Sequence, residues 1–367
     1  METAGSIKQN LIEQSIDFHC HGIGNFDFSE LKNSDLIEIE NILSSRNQRI
    51  ILTVYLPKKN FNQFFELLEY FHEGKEQSLF PHIIGIALEG PVLASHGGTP
   101  EIGVWFPTES EWEKIASYGG KGLIYSIFSP DVHLLKNYSG PDVRWITEVL
   151  LSGGIIPSLG HFLKINPQES AKAVQAIFDV VKRLGRFPIV TDHLYNDMPL
   201  NFKHAWRTSI EKNSRQEELN QLDLNSWTLD TLEGKLGPVP AVIIKNAVEG
   251  LVKPCINFDG EHVDLDILKK TIELVGAENI MLMTDSIESK SLGGSKLFAK
   301  ENSSLLYQKE GVVAVGTQGV EKQINNMLSI GLSNEQVKLI TNVNPRAVLK
   351  NQADYLKKHK HETIDSI

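Results

Sequence analysis

Short apolar runs alternate along the chain with stretches whose apolar residues recur at helical spacing. RIILTVYL (49–56) and HIIGIAL (82–88) are nearly continuous apolar runs, as in strands covered on both faces. Strand signals fall at residues 15–20, 49–56, 82–89, 122–128, 155–160, 187–193, 252–259 and 280–285. Between them lie helical patterns such as NFNQFFELLEYFHEG (60–74), QESAKAVQAIFDVVKRLG (168–185) and DLDILKKTIELVG (264–276). The second is preceded by Pro167 and closed by Gly185, which fits helix start and stop chemistry. Strand and helix alternating eight times predict an α/β fold, a closed (β/α)8 barrel of the TIM type, spanning residues 1–367 as one domain. One segment breaks the rhythm. Residues 198–250 are polar and turn-rich, and are expected to form an insertion after the sixth strand.

The residues that end these strands carry the chemistry. The first ends in His19-Cys20-His21, the third in Glu89-Gly90-Pro91, and the fifth in Gly160-His161. The sixth ends in Asp192-His193, the seventh is followed by Asp259-Gly260-Glu261-His262, and the eighth ends in Thr284-Asp285. In a barrel all these ends meet at one face. Side chains alternate along a strand, so His19 and His21 point the same way and can hold one metal ion. His161 and His193 can hold a second, and Glu89 can reach both ions through its two oxygens. Asp285 is then placed against a metal-bound water, while Gly22 and Gly24 leave the backbone room to turn sharply beside the site. Imidazole and carboxylate ligands with an open position suit a divalent ion, one or two per chain, zinc first among the candidates. A lone strand histidine is more often a core residue, and a lone Glu-Gly-Pro more often a turn. Six strand ends bearing ligand-type residues are not explained that way. His72, His82, His133 and His204 fall elsewhere and receive no role, and His96 is expected on a loop surface. Cys20 should point away from the mouth and serve packing. His359 and His361 sit in a lysine-rich, solvated tail.

Composition narrows the setting. The 367 residues are 41% hydrophobic, enough to bury a large core. Two cysteines, no membrane-length apolar run and no leader-like start imply a reduced, cytoplasmic compartment and no membrane partner. A net charge of −10 argues against nucleic acid. There is no phosphate-cradling loop followed by Lys-Ser or Lys-Thr, no dinucleotide fingerprint and no nucleophile elbow.

The segments DFHCHG (17–22), GIALEGP (85–91), LGH (159–161), HLYNDM (193–198), DGEHVD (259–264), MTDS (283–286), VAVGT (313–317) and NVNPRAVL (342–349) together resemble the N-acetylglucosamine-6-phosphate deacetylases of the amidohydrolase superfamily. The resemblance implies that His19, His21, Glu89, His161 and His193 are metal ligands, with Asp285 the acid/base residue. It implies that His262 polarises the substrate carbonyl and that Asn196 touches substrate. It further implies an N-acetylated amino sugar as the small-molecule substrate, acetate and a free amine as products, and a homodimer. Three departures stand out. The β-sandwich that flanks the family's barrel is expected to be absent. Asp197 stands where the family has alanine, and MPLNFKHAWRTS (198–209) replaces its phosphate-gripping arginine segment. Lys203 or Arg207 are the candidate replacements, but the Asp197 carboxylate beside a phosphate is unfavourable. The third departure is the long insertion. All three bear on the phosphate more than on the hydrolysis. The rival readings are hydrolysis of another N-acyl substrate, phosphoester hydrolysis, and a non-catalytic sugar-binding barrel. The last is opposed by Asp285 standing together with every ligand.

Overall fold

The computed structural model describes residues 4–202 and 209–359. A ring of parallel strands runs β1 (Ile16–Ile23), β2 (Arg49–Val54), β3 (Ile83–Glu89), β4 (Leu123–Phe128), β5 (Ile156–Leu159), β6 (Ile189–His193) and β7 (Val252–Ile256). The eighth strand, β8, comes in two pieces, Met281–Leu282 and Ser286–Ile287. The first piece pairs with β7 and the second with β1, so the sheet closes on itself through the break. Around the break, Met283 N–H donates to Ile256 O and Asp285 N–H to His19 O, both at 3.1 Å. The (β/α)8 barrel predicted from the alternation is the fold observed.

After an opening helix α1 (Ala4–Gln14), each strand leads to a helix on the outside. These are α2 (Asp35–Arg46), α3 (Phe61–Glu76), α4 (Glu109–Ala116), α5 (Val143–Ser152) and α6 (Pro167–Leu184). Helix α6 begins and ends where its sequence signals place it. Pro167 stands at its first turn, and Gly185 caps it with φ +58°, a left-handed conformation glycine adopts without strain. Residues 198–250 contain α7 (Ser209–Leu219), α8 (Leu232–Leu236) and α9 (Pro238–Val248). Helix α9 packs on α6 and is the barrel's own helix between β6 and β7, so only the stretch before it is extra. Trp227 anchors that stretch, fully buried beside Phe202. The repeat ends with α10 (Leu265–Val275) and α11 (Val320–Ser329), followed by α12 (Asn334–Lys338) and α13 (Asn344–Lys358).

The far end of the ring is tied off by side chains. Asn344 Nδ2 donates to Ala277 O and Ile280 O at 2.8 and 2.7 Å, and Gln352 Nε2 to Ile124 O and Gly154 O at 2.9 and 2.7 Å. Those carbonyls lie in or just before the N-terminal ends of the strands, leaving the C-terminal ends for the mouth.

Two expectations change. The first strand runs past His21 to Ile23 and pairs with Phe26–Asp27, so the turn lies at Gly24 (φ +58°) and not at Gly22. Gly22 has a different reason: a Cβ there would lie 2.3 Å from Phe26 O. The second change is a flap that the sequence did not announce. After β8, β9 (Leu305–Tyr307) and β10 (Val313–Gly316) pair antiparallel, and Gly316 joins Ser286 beside the mouth.

Candidate metal centre

The barrel geometry brings the ligand-type residues of five strands within a few ångströms of one another. Alternation along β1 turns His19 and His21 to the same side, and their Nε2 atoms stand 2.9 Å apart. Glu89 Oε2, from the end of β3, is 3.1 Å from each. Asp285 Oδ1 is 3.3 Å from His21 Nε2 and 3.8 Å from His19 Nε2. The other oxygen of Glu89, Oε1, faces His161 Nε2 at 2.9 Å. Asp192 Oδ2 is 3.1 Å from both His161 Nε2 and His193 Nε2. Two groups result, His19–His21–Asp285 and Glu89–His161–Asp192–His193, with Glu89 between them. All of these side chains are buried.

Neighbouring groups fix which imidazole nitrogen faces the cluster. Tyr125 OH donates its single hydrogen to Phe18 O (3.0 Å), so His19 Nδ1–H donates to the Tyr125 oxygen (3.1 Å) and Nε2 keeps its lone pair. Asp197 Oδ2 takes the His161 Nδ1–H at 3.0 Å, with the same consequence. Asp197 itself is held by Ser95 Oγ and Lys164 Nζ, at 3.0 and 2.8 Å. It is therefore a paired, neutralised carboxylate and not a free negative charge beside the mouth. Tyr55 OH and Thr99 Oγ1 donate to Glu89 Oε1 at 3.1 and 3.2 Å.

Electrostatics reflect this crowding. Burial works to raise the carboxyl of Glu89, yet the imidazoles of His161, His19 and His21 hold it well below the usual range. Asp285 is likewise held down against burial by His21 and His262. Burial opposes a charge on His21, but Asp285 and Glu89 carry it up to about 10. His161 is driven well above an ordinary imidazole, against burial, by Asp192, Asp197 and Glu89.

The residues fit a divalent ion on two counts. Around a tetrahedral ion with bonds of about 2.0–2.1 Å, ligand atoms sit about 3.3 Å apart. The nitrogen and oxygen atoms of His19, His21, Glu89 and Asp285 are separated by 2.9 to 3.8 Å. Second, Glu89 Oε2 and both oxygens of Asp192 are buried without a hydrogen bond, although imidazole nitrogens crowd them. Such atoms are stabilised by a cation and are costly without one.

His262 stands on the far side of Asp285, its Nε2 3.6 Å from Asp285 Oδ2 and buried without a hydrogen bond. Its Nδ1 contacts Asp259 Oδ2 at 2.6 Å. Burial would lower this imidazole, but Asp259 and then Asp285 raise it to about 9. Asn196 lines the cavity in front of the cluster, together with Lys164, Gly97–Thr99 and Val312–Ala314. That cavity measures about 120 Å³. The replacements considered for a phosphate grip, Lys203 and Arg207, lie outside the described residues, as do His204 and His361. His96 is an exposed loop residue, and His359 stacks on Tyr355 at the end of α13.

Four residues escaped the sequence reading. Tyr55 and Thr99 carry no ligand-type signal, and Asp197 registered only as a departure. Asp192 lies next to His193, where alternation along a strand turns the two apart. A backbone signal accompanies the site: His161, Tyr195, Asp197 and Asp285 have φ of +57°, +74°, +42° and +48°. Non-glycine residues pay for such conformations, and they concentrate where function over-determines the backbone.

No protein-family model and no curated protein matches the chain in sequence. Solved structures do match in fold. The N-acetylglucosamine-6-phosphate deacetylase of Thermotoga maritima aligns with TM-score 0.65 and 18% identity, over 92% of this chain and 78% of that one. The deacetylase of Pasteurella multocida aligns with TM-score 0.67 and 14% identity, over 93% and 77%. A mutant of the Mycobacterium smegmatis enzyme in complex with N-acetyl-D-glucosamine-6-phosphate aligns with TM-score 0.65 and 16% identity, over 92% and 77%. The chain thus shares the barrel fold of these structures.

Proposed function

We propose that this chain is a divalent-metal-dependent hydrolase that removes the acetyl group from an N-acetylated amino sugar, with or without a 6-phosphate. One observation carries the reading: His19 Nε2 and His21 Nε2 face each other at 2.9 Å, with one buried Glu89 oxygen 3.1 Å from both. Hydrogen bonding alone leaves that oxygen without a partner. The likeness in fold to deacetylases supports the substrate class.

His19, His21, Glu89 and Asp285 would hold one ion, and Glu89, His161 and His193 the other. A bound divalent ion supplies a water acidified toward neutrality and polarises the scissile carbonyl. Asp285, with one oxygen toward the ligands and the other toward His262, takes the proton of the attacking water. It then returns that proton to the departing amine nitrogen. His262, raised to about 9, is an imidazolium at neutral pH; Nδ1–H is spent on Asp259, so Nε2–H is the donor left for the developing oxyanion. Asn196 and Lys164 line the cavity where the rest of the substrate would sit.

The cavity favours a second reading beside the first. At about 120 Å³ it falls below the roughly 300–1,000 Å³ of most ligand pockets. A smaller N-acyl compound fits it as it stands, whereas a hexosamine requires the loops at Gly97–Thr99 and Val312–Ala314 to part. An acetate-release assay on N-acetylglucosamine, its 6-phosphate and short N-acetylated amines tests both. Turnover of a sugar, lost about 10²–10⁴-fold in Asp285→Asn, is the expected result. Release of phosphate with no acetate from any substrate would overturn it.

A further inference from the structure

We propose that Asp192 is a direct ligand of the second cation, so that each of two ions is held by two imidazoles and two carboxylates, Glu89 being shared. This rests on the metal-dependent reading above and goes beyond the ligand set that the resemblance implies, which has no place for Asp192.

Four observations converge on it. The Asp192 side chain is 1% exposed, and neither of its oxygens makes a hydrogen bond. Two imidazole nitrogens nonetheless face it, His161 Nε2 and His193 Nε2, each 3.1 Å from Oδ2. Among the described residues no lysine or arginine forms an ion pair with it. Nitrogens this close, outside hydrogen-bond geometry, are what lone pairs aimed at a common cation look like. Next, the site is built to admit this side chain. A Cβ on Gly160 would lie 2.6 Å from Asp192 Cβ and 2.9 Å from its Oδ2, so β5 must present glycine immediately before His161. Third, the four candidate donor atoms of Glu89, His161, Asp192 and His193 all lie within 4.8 Å of one another. Last, charge is balanced. Two divalent ions bring four positive charges into a buried mouth, and Glu89 and Asp285 return only two. Asp192 supplies a third, which lowers the cost of burying the pair. Two imidazoles with two carboxylates also suit harder ions such as Mn²⁺ as well as Zn²⁺.

Zinc content after dialysis of the full chain, with competition by a chelator, tests the assignment. Wild type is expected to hold two zinc ions per chain and Asp192→Asn one. The affinity of the lost ion should fall by more than the 10–100-fold that follows removal of a group acting through a ligand. Asp192→Asn combined with His193→Ala should lose no further ion. Should Asp192→Asn fail to fold, zinc-soaked crystals of wild type decide: an Asp192 oxygen is expected about 2.0–2.2 Å from one ion. An Asp192 carboxylate beyond bonding reach of both ions would overturn the proposal. Two zinc ions in both proteins, with equal resistance to chelation, would overturn it alone. Wild type that binds no zinc would overturn the metal-dependent reading and this one with it.

Discussion

His262 shows how much of the site's chemistry resides in single residues. Its ring is buried, which alone would disfavour the charge, yet Asp259 and Asp285 raise its pKa to about 9. The sign follows from that direction. The stabilisation from this pair is fully present below the unfolded imidazole's value of about 6.5, and it is lost as pH rises through the folded value of about 9. If Nε2–H is the oxyanion donor, activity falls on the same alkaline limb. Asp259→Asn keeps an acceptor for the Glu261 and His262 backbone N–H groups, now held at 2.8 Å, but removes the charge. A pH profile of kcat/KM should therefore show the alkaline limb moving toward lower pH in this variant. An unmoved limb would remove His262 from the mechanism. The gathering of side chains was legible in the sequence wherever a ligand-type residue ended a strand, as at His19, His21, Glu89, His161, His193 and Asp285. Asp192 was not, because its buried position depends on the absent side chain of Gly160 on the neighbouring strand. No pattern within one strand records that.

Among the elements, long periodic ones declared themselves and short ones did not. Helix α6 carries four full turns of apolar spacing between a proline and a glycine, and it forms between those limits. Strands β2 and β3 announced themselves as unbroken apolar runs. The flap did not, because strands of three and four residues have no period to read. Its attachment is polar: the Glu261 carboxylate accepts from Ser303 Oγ and from Ser304 N and Oγ at 2.8 to 2.9 Å. On the other side, Gln308 Nε2 donates to Gly98 O at 2.7 Å, and a Cβ on Gly98 would fall 2.0 Å from Val313 O. Gly98→Ala should push the flap off the loop after β3, at a cost of about 1–3 kcal/mol. Thermal unfolding and KM read that change together. A lower Tm with an altered KM and an intact metal content is expected, and an unchanged KM would show that the flap does not bound the substrate cavity.

At the scale of the whole molecule, closure of the ring makes the site. Residues as far apart in sequence as His19 and Asp285 become neighbours because the broken eighth strand pairs with β7 before the break and with β1 after it. Asp17 reinforces the seam, accepting from Thr284 N at 3.0 Å and from Thr284 Oγ1 at 2.5 Å. The ring was readable from eight repeats, but the break was not, since Met283-Thr284-Asp285 holds no glycine or proline to mark it. The gathered charges also bind the site to protons. His21 and His161 are raised above ordinary imidazoles, so a cation must displace protons to enter, and occupancy should weaken as pH falls.

Acetate release from N-acetylglucosamine-6-phosphate by metal-loaded protein, by the same protein after exhaustive chelation, and after zinc is returned tests the central claim most directly. The metal-binding account predicts turnover, its loss, and its recovery. Undiminished acetate release from protein shown to be free of metal would contradict it.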